Sequence, residues 1–525
     1  MSARYELKSI KQQDRVHDES TLPDVELVTP SRGQYHTSQD LPGSQPVDKY
    51  QLVFIILLIH GIGTLMPWNM FINAEDYFRN YKLQPAGNIT MSNITSSNNN
   101  QNITTHLTRD RTETELESMR KNFLSLLSLA AQLPNTIFNG LNLLVNLGSG
   151  NLKLRVNLTL GFQAIIFAIT ILLAFVDSYQ WPGTFFYVTM ISVVLLNMAS
   201  GVYQNCVFGI GAKFPGKYTN AILIGSNLSG TFTSVVNLLS IWLAPQPQEA
   251  AMYYFTAALF VIVICLVSYN LLHLNPFFRY YDQAENSDAD PTECQLDIAT
   301  TVRDDKDDTD VNYDIPETLR KTVDAMVPRP SNQNGTAKDY GNSFAGELDK
   351  KWQVFKKCWP QCMNVFFTFY FTLALFPSVM AGIQQKDNLL SNKYFAPVCC
   401  FLAFNLFALV GNLISGWTTW PGKDRVWMLV AVRVLFVPFF LFCNFNPSTR
   451  HWPVLIESDI IYTLGNVLMA LTSGYLSSLC MMFASSGLSQ DEAPKAGMLA
   501  AFFLVFGIFM GINSSFILTW AVEIG

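Results

Sequence analysis

Charged side chains are scarce in this chain, since only 14% of its 525 residues are Asp, Glu, Lys or Arg. A soluble protein of ordinary composition carries about a quarter. Half of the residues are hydrophobic and 13% are aromatic. These proportions exclude an ordinary water-soluble domain and favour a membrane protein. The net charge of −6 gives no indication of nucleic-acid binding.

Patterns of residues typical of enzymes and metal sites are also lacking. The chain has nine cysteines and six histidines, and the histidines do not cluster with the cysteines. This distribution argues against a metal site, and the absence of cysteine from the predicted outer segments argues against a disulfide framework. No Ser/His/Asp or His/Glu pattern occurs in the apolar runs, so an enzyme is not expected. Residues 1–50 are polar, unlike a signal peptide, and are predicted to form a disordered cytoplasmic tail.

Long apolar runs are abundant, and each has the length of about 20 residues that crosses the hydrocarbon core of a bilayer. A long acidic loop, 276–356, is predicted to be disordered and cytoplasmic. It separates a six-helix group, 51–275, from a five-helix group, 357–525. The predicted fold is therefore an all-α polytopic membrane protein with eleven transmembrane helices. The runs are 51–73, 122–146, 155–176, 183–211, 218–243, 251–273, 361–383, 394–418, 426–445, 454–483 and 493–521.

The polar segment 79–121 orients the predicted bundle. It contains Asn-Ile-Thr three times, at Asn88, Asn93 and Asn102. Three acceptor sites for N-glycosylation predict that this segment lies outside the cytoplasm. The N-terminus is then cytoplasmic and, after eleven crossings, the C-terminus lies outside. The positive-inside rule agrees, because the short loops predicted to be inside carry Lys153, Arg155, Lys213, Lys217, Lys423 and Arg425.

The first apolar run contains the unusual stretch "HGIGTLMPWNMF". Pro67 loosens the backbone hydrogen bonds of a helix, which is tolerated beside a cavity. Trp68 presents a flat ring and one N–H donor, which suit a flat heterocycle. Alternatively, Trp68 anchors the helix at the membrane interface. His60 is interpreted as a histidine buried in the bundle, with a proton relay as the alternative.

Polar residues on the fourth run share one helical face, because Asn197, Ser200 and Gln204 recur at helical spacing. Such a face in an apolar helix indicates a cavity or a buried network between helices. Gln204 can donate and accept at once, as the edge of a nucleobase requires, although a structural amide remains the alternative. In the second run, Gln132 and Asn135 flank Pro134. Gly507 and Gly511 form a GxxxG pair, interpreted as helix packing.

An ordered set of motifs then carries a family resemblance. It comprises "GIGTLMPWNMF", "QLP", "VLLNMASGVYQNCVFGIGAKFPGKYTNAILIG", "LFP", "CCFLAFNLF", "WPGKDRVW" and "SGYLSSLCMMF". Over residues 51–521 the chain resembles the equilibrative nucleoside transporter family, part of the solute carrier group of proteins. The resemblance implies a six-plus-five bundle of the major-facilitator kind that moves nucleosides, and in some members nucleobases, down their gradients without a cofactor.

The resemblance also implies a set of substrate-binding residues. Gln204 matches the amide that meets the base, Trp68 would stack on or border it, and Asn405 and Asn412 would face the sugar. The full set is Leu65, Trp68, Gln132, Asn135, Ser200, Gln204, Phe376, Phe401, Asn405 and Asn412.

One departure from the family pattern concerns the eighth run. The family typically reads F-D-x-x-G-R there, and the acid and arginine are associated with the ribose. This chain reads "FALVGN", so Ala408 replaces the acid and Asn412 replaces the arginine. The loss of both charges together is coherent, since one buried charge without a partner would be costly. Sugar recognition through uncharged contacts is expected.

The expected function is facilitative transport of nucleosides by alternating access, with the protein acting as a carrier of small molecules in a lipid bilayer. Alternatives are transport of nucleobases or of another amphipathic solute such as an organic amine. The amine alternative lacks a carboxylate in mid-helix to pair with a cation. A non-transporting sensor or partner protein on the same scaffold is a third hypothesis. We expect a monomeric, multi-pass glycoprotein of the plasma membrane, or alternatively of the endosomal or lysosomal membrane, without bound metal, cofactor or nucleic acid.

Overall fold

The structure is a computed structural model that describes part of the chain. The described residues are 46–74, 77–83, 115–120, 123–144, 152–176, 178, 180–243, 247–287, 337–388 and 390–524. The predictions for the tail 1–45, for Asn88, Asn93 and Asn102, and for loop residues 288–336 lie outside these ranges.

Six long helices form the first group, and each begins and ends within four residues of a predicted apolar run. Prolines begin two of them, at positions where a missing backbone N–H costs no helical hydrogen bond. The helices are α1 (Leu52–Asn73), α2 (Phe123–Leu144), α3 (Leu152–Phe175), α4 (Pro182–Ala212), α5 (Gly216–Leu243) and α6 (Pro247–Leu272).

The second group is less regular. The eighth predicted run of the chain is a helix with a π-helical segment, Ala396–Leu402. The ninth run is interrupted by a 3₁₀ turn, Arg433–Leu435. The remaining helices are α7 (Pro276–Ser287), α8 (Ala337–Leu375), α9 (Asn392–Phe395), α10 (Ala403–Ser415), α11 (Val426–Val432), α12 (Phe436–Leu441), α13 (Asp459–Ser485) and α14 (Glu492–Ile524).

The prediction of a disordered loop over 276–356 is wrong at both ends, where α7 and the first part of α8 are helical. The acidic composition of the loop as a whole concealed short apolar faces at its two ends. Phe277 and Phe278 of α7 are buried, and both rings lie 5.7 Å from that of Phe214. In α8, Val354 is buried before the predicted start of the span. Burial of these side chains stabilises the two helical ends.

Within the described residues, nine helices are long and apolar enough to cross a membrane. Two predicted spans are not among them. Helix α2 carries several buried polar side chains, and the segment Val426–Leu441 is shorter than the others. The chain is therefore an all-helical, multi-pass membrane protein, whereas the count of eleven crossings and the orientation stay predictions.

Two glycines of α14 allow its backbone to lie close to that of α8. A Cβ atom at Gly507 would lie 2.6 Å from the carbonyl oxygen of Phe366, and one at Gly511 would lie 2.7 Å from that of Tyr370. These distances leave no room for any side chain. The interpretation of the GxxxG pair as a packing motif is confirmed, and the pair seats α14 against α8.

Candidate functional site

A cavity of about 130 Å³ lies between the two helix groups. Side chains of α1, α2, α4 and α5 form one wall, and those of α8, α10, α13 and α14 form the other. At about 30 Å³ per molecule, a volume of this size corresponds to roughly four water molecules. The lining residues are Thr64, Leu65, Trp68, Asn69, Gln132, Asn135, Asn197, Ser200, Gln204, Phe208, Leu223, Ser226, Asn227, Phe369, Thr372, Leu373, Phe376, Phe404, Asn405, Ala408, Ser473, Ser477, Leu504, Val505 and Ile508.

The polar face of α4 borders this cavity, because Asn197, Ser200 and Gln204 all line it. Asn197 uses its Nδ2 to donate to the carbonyl oxygen of Val193, 2.9 Å away in the same helix. The side chain of Gln204 is 4% exposed and lines the cavity. Gln204 therefore presents both a donor and an acceptor to whatever fills the cavity.

Helix α2 contributes two further amides, those of Gln132 and Asn135. Helix α4 approaches α2 closely here, because a Cβ atom at Gly201 would lie 2.4 Å from the carbonyl oxygen of Asn135. The side-chain oxygen of Asn135 is buried and has no partner among the described residues. An unpaired buried acceptor is costly, so a donor on a ligand or water is the natural partner for it.

The part of α1 that contains Leu65 and Trp68 also lines the cavity. Trp68 is half-buried and packs against the hydrophobic core of the bundle. His60, two turns earlier, does not reach the cavity. Its Nδ1 lies 2.7 Å from the hydroxyl of Tyr203, and its Nε2 has no partner among the described residues. The geometry supports the interpretation of His60 as a histidine buried in the bundle.

Of the aromatic residues on the α8 and α10 side of the cavity, some line the cavity and others lie behind the lining. Phe376 lines the cavity and stacks on Phe404, with ring centroids 3.9 Å apart. Phe401 lies outside the lining and meets Phe376 edge-on at 5.7 Å. Asn405 lines the cavity, and its Nδ2 donates to the hydroxyl of Ser234 at 3.1 Å. Asn405 thus connects α10 to α5 while facing the cavity.

The expectation that Asn412 faces the cavity is not met by this geometry. Its side chain is fully buried, and its Nδ2 donates to the carbonyl oxygen of Leu223 at 2.9 Å. Its side-chain oxygen accepts a hydrogen bond from Ser478 at 3.1 Å. Asn412 lies one helical turn beyond Ala408, which does line the cavity. That extra turn carries the amide past the cavity and into the contact of α10 with α5 and α13.

Three further candidate residues of the site were not predicted from the sequence. Thr372 and Ser473 line the cavity and lie 3.0 Å apart, oxygen to oxygen. Behind them, the fully buried Arg433 donates from Nη2 to the hydroxyl of Thr372 at 2.6 Å. A signal for Arg433 was present, since it is a full charge inside an apolar run, and such charges are functional candidates.

Comparisons with known proteins agree with these features. The nucleoside transporter family model matches residues 190–520. The chain is 30% identical over 485 residues to equilibrative nucleoside transporter 1 of Homo sapiens, covering 90% of this chain and 98% of that protein. It is 31% identical over 480 residues to equilibrative nucleoside transporter 2 of Homo sapiens, again covering 90% of this chain and 98% of that protein.

The fold comparison gives an independent result. A solved structure of a proton:xylose symporter of the major facilitator superfamily superimposes with a TM-score of 0.52 and 11% identity, covering 90% of this chain and 88% of that one. Together, the apolar helices and this likeness define a multi-pass membrane protein with a fold similar to that of the symporter. The family model and the human relatives narrow the class: the chain belongs to the nucleoside transporter family.

Proposed function

We propose that this protein carries nucleosides across a membrane down their concentration gradient by alternating access. In this mechanism the two helix groups rock about a central site, which opens first to one side of the membrane and then to the other. The cavity lies between the groups, as the mechanism requires. The single observation that carries the proposal is the carboxamide of Gln204, which brings a donor and an acceptor to the lining of the cavity.

The described lining of the cavity suits an uncharged, flat solute. It contains no Asp, Glu, Lys, Arg or His. An organic amine would bring a positive charge with no carboxylate to meet it, which is unfavourable away from water. A nucleoside brings an apolar ring face for Trp68 and a hydrogen-bonding base edge for Gln204. Nucleobases share that edge, so their transport is the second candidate function.

Hydrogen bonds join the two groups at the end of the bundle that carries Lys213. Gln490 donates from Nε2 to the carbonyl oxygen of Lys213 at 3.0 Å, and Asn205 donates from Nδ2 to that of Met498 at 2.9 Å. Alternating access must break these bonds to open the cavity toward this end. The positive-inside rule assigns this end to the cytoplasm, so the closed side is the cytoplasmic one.

Substitution of Gln204 by leucine tests the proposed role of its amide. The change removes the donor and the acceptor at similar bulk, and one lost hydrogen bond weakens apparent affinity by about tenfold. Gln163→Leu is a matched control, since Gln163 is fully buried in α3 without a partner for its amide and lies outside the cavity. Uptake is measured per molecule at the cell surface. Normal surface expression with unchanged nucleoside affinity in Gln204→Leu would refute the role.

The finer properties belong to the same proposal. Residues 51–275 and 357–525 act as the two moving groups, with the tail 1–50 and most of the loop between them in the cytoplasm. Asn88, Asn93 and Asn102 carry glycans on the outer side. The protein works as a monomer in the plasma membrane. Resemblance, the sequons and the distribution of Lys and Arg support these assignments.

A further inference from the structure

Arg433 is a buried cation in the membrane-spanning part of the second group. It is 1% exposed, and no carboxylate of the described residues lies within 4.0 Å of its guanidinium. A charge in this setting is expensive, and it is expected to serve a function. Its neighbours show what that function is.

The guanidinium of Arg433 bridges two helices of the cavity wall. From Nη1 it donates to the carbonyl oxygen of Met469 at 3.1 Å and to the hydroxyl of Thr472 at 2.5 Å, both on α13. From Nη2 it donates to the hydroxyl of Thr372 on α8 at 2.6 Å. Thr472 lies outside the cavity lining, whereas Thr372 is part of it. The charge therefore acts on the cavity through a single side chain.

The hydrogen atoms at Thr372 can be assigned from its partners. A hydroxyl has one hydrogen to donate and two lone pairs to accept with. Arg433 can only donate to it, and the carbonyl oxygen of Thr368, 2.6 Å away, can only accept from it. The one hydrogen of Thr372 therefore points to Thr368. Its remaining lone pair accepts from Ser473, whose oxygen lies 3.0 Å away.

This assignment fixes the role of Ser473 in the cavity. Its hydrogen is directed at Thr372, so the lone pairs of its oxygen are left to accept. No described residue donates to that oxygen. Ser473 thus presents an acceptor on the wall opposite Gln204, which offers its amide from α4. A ligand that places its base edge at Gln204 would turn its other end toward this acceptor.

We propose that Ser473 accepts a hydrogen bond from a sugar hydroxyl of the substrate, with Arg433 acting through Thr372 as the positioning residue. The proposal rests on nucleoside transport as the proposed function, and it identifies how a hydroxylated substrate is distinguished from a deoxygenated one. In this arrangement a neutral oxygen, that of Ser473, recognises the sugar in place of a charged side chain in the cavity. The charge of Arg433, which lies behind the cavity wall, maintains the orientation of the Ser473 hydroxyl through Thr372.

Competition for uptake tests the role of Ser473. A ribonucleoside and its 2′-, 3′- and 5′-deoxy analogues compete with a labelled nucleoside in cells that express each variant. Ser473→Ala should weaken the ribonucleoside about three- to tenfold, the effect of one neutral hydrogen bond. It should leave at least one deoxy analogue unchanged, because that analogue lacks the donor. Equal weakening of all four ligands, or no weakening, would overturn the proposal.

Ser477→Ala is the matched control for this change. Ser477 also lines the cavity from α13, but its hydroxyl donates to the carbonyl oxygen of Gly474 in its own helix at 3.0 Å. Because Ser477 is not connected to Arg433 through Thr372, the proposal assigns it no contact with the sugar, and Ser477→Ala should leave the preference for the ribonucleoside unaltered. A loss of that preference in Ser477→Ala as large as in Ser473→Ala would contradict the assignment to Ser473.

The positioning role of Arg433 has its own readout. Thr372→Val removes the hydroxyl that connects Arg433 to Ser473 at nearly unchanged shape, and Thr372→Ser restores the hydroxyl. We expect Thr372→Val to lose the preference for the ribonucleoside and Thr372→Ser to retain it. If the network is only structural, Thr372→Val lowers the amount of surface protein and keeps the preference. An unsubstituted protein that takes up none of the nucleosides would instead refute the proposed function itself.

Discussion

The side chain of Asn412 donates a hydrogen bond to the carbonyl oxygen of Leu223 at 2.9 Å, and so ties the second helix group to the first. The connection is reciprocal, since Asn220 of α5 donates to the carbonyl oxygen of Asn412 at 3.1 Å. Asn412 stands where the family typically has an arginine. In this structure its amide holds the helix groups together beside the cavity instead of facing the substrate.

Removal of this connection should destabilise the observed arrangement. Asn412→Leu deletes the bond to Leu223 and leaves the hydroxyl of Ser478 without its acceptor. A cost of about 1–3 kcal/mol is expected for such a buried group. It should appear as a lower thermal unfolding midpoint of the purified protein. Asn513→Leu is the control, because the partner of Asn513 among the described residues is Phe509 of its own helix. Equal midpoints for the two variants would contradict this role.

A pair of charges should be tolerated better than either charge alone. Ala408→Asp and Asn412→Arg each introduce a charge near or within the contact of α10 with α13, and an unpaired buried charge costs several kcal/mol. Positions 408 and 412 are one helical turn apart, so the two new charges can meet. Surface expression of both single variants and the double variant forms a double-mutant cycle. A double variant that shows only the summed damage of the two singles would speak against pairing.

The contact of α4 with α14 should close the cavity at the end of the bundle that carries Lys213. A Cβ atom at Gly497 would lie 2.7 Å from the carbonyl oxygen of Phe208 and 2.5 Å from Cβ of Ala212. Gly497→Val should therefore hold the groups apart there and sharply reduce uptake at normal surface expression. Gly161→Val is the control, since a Cβ at Gly161 meets nothing within 4 Å. Full transport by Gly497→Val would show that this contact need not close.

The long loop should divide into a dispensable part and a structural part. Residues 288–336 are acidic and poor in large apolar side chains, so their deletion should leave uptake per surface molecule nearly unchanged. Phe278→Ala is the contrasting variant, because Phe278 of α7 is 2% exposed and packs against Phe214. It should cost about 3–5 kcal/mol of stability, read as loss of folded protein. Lost uptake after the deletion, at normal expression, would reveal a mechanical role for the loop.

The sequence predicted most of the helices and much of the cavity for clear physical reasons. Apolar runs of spanning length form helices in lipid, and the spacing of Asn197, Ser200 and Gln204 placed them on one face. The position of Asn412 could not be predicted, because it depends on how far along α10 the cavity extends. The helical ends of the 276–356 loop depend on burial of Phe277 and Phe278 against a distant segment. The role of Arg433 required three helices to be brought together.

Counterflow in liposomes that contain only the purified protein is the most direct test of facilitative nucleoside transport. Vesicles are loaded with unlabelled nucleoside and diluted into a trace of the labelled form. A carrier that alternates between two sides should accumulate label transiently, without an applied ion gradient and equally in the presence of a protonophore. Gln204→Leu should require a higher nucleoside concentration for the same effect. Absence of label accumulation with correctly folded protein, or accumulation only under a proton gradient, would contradict the account.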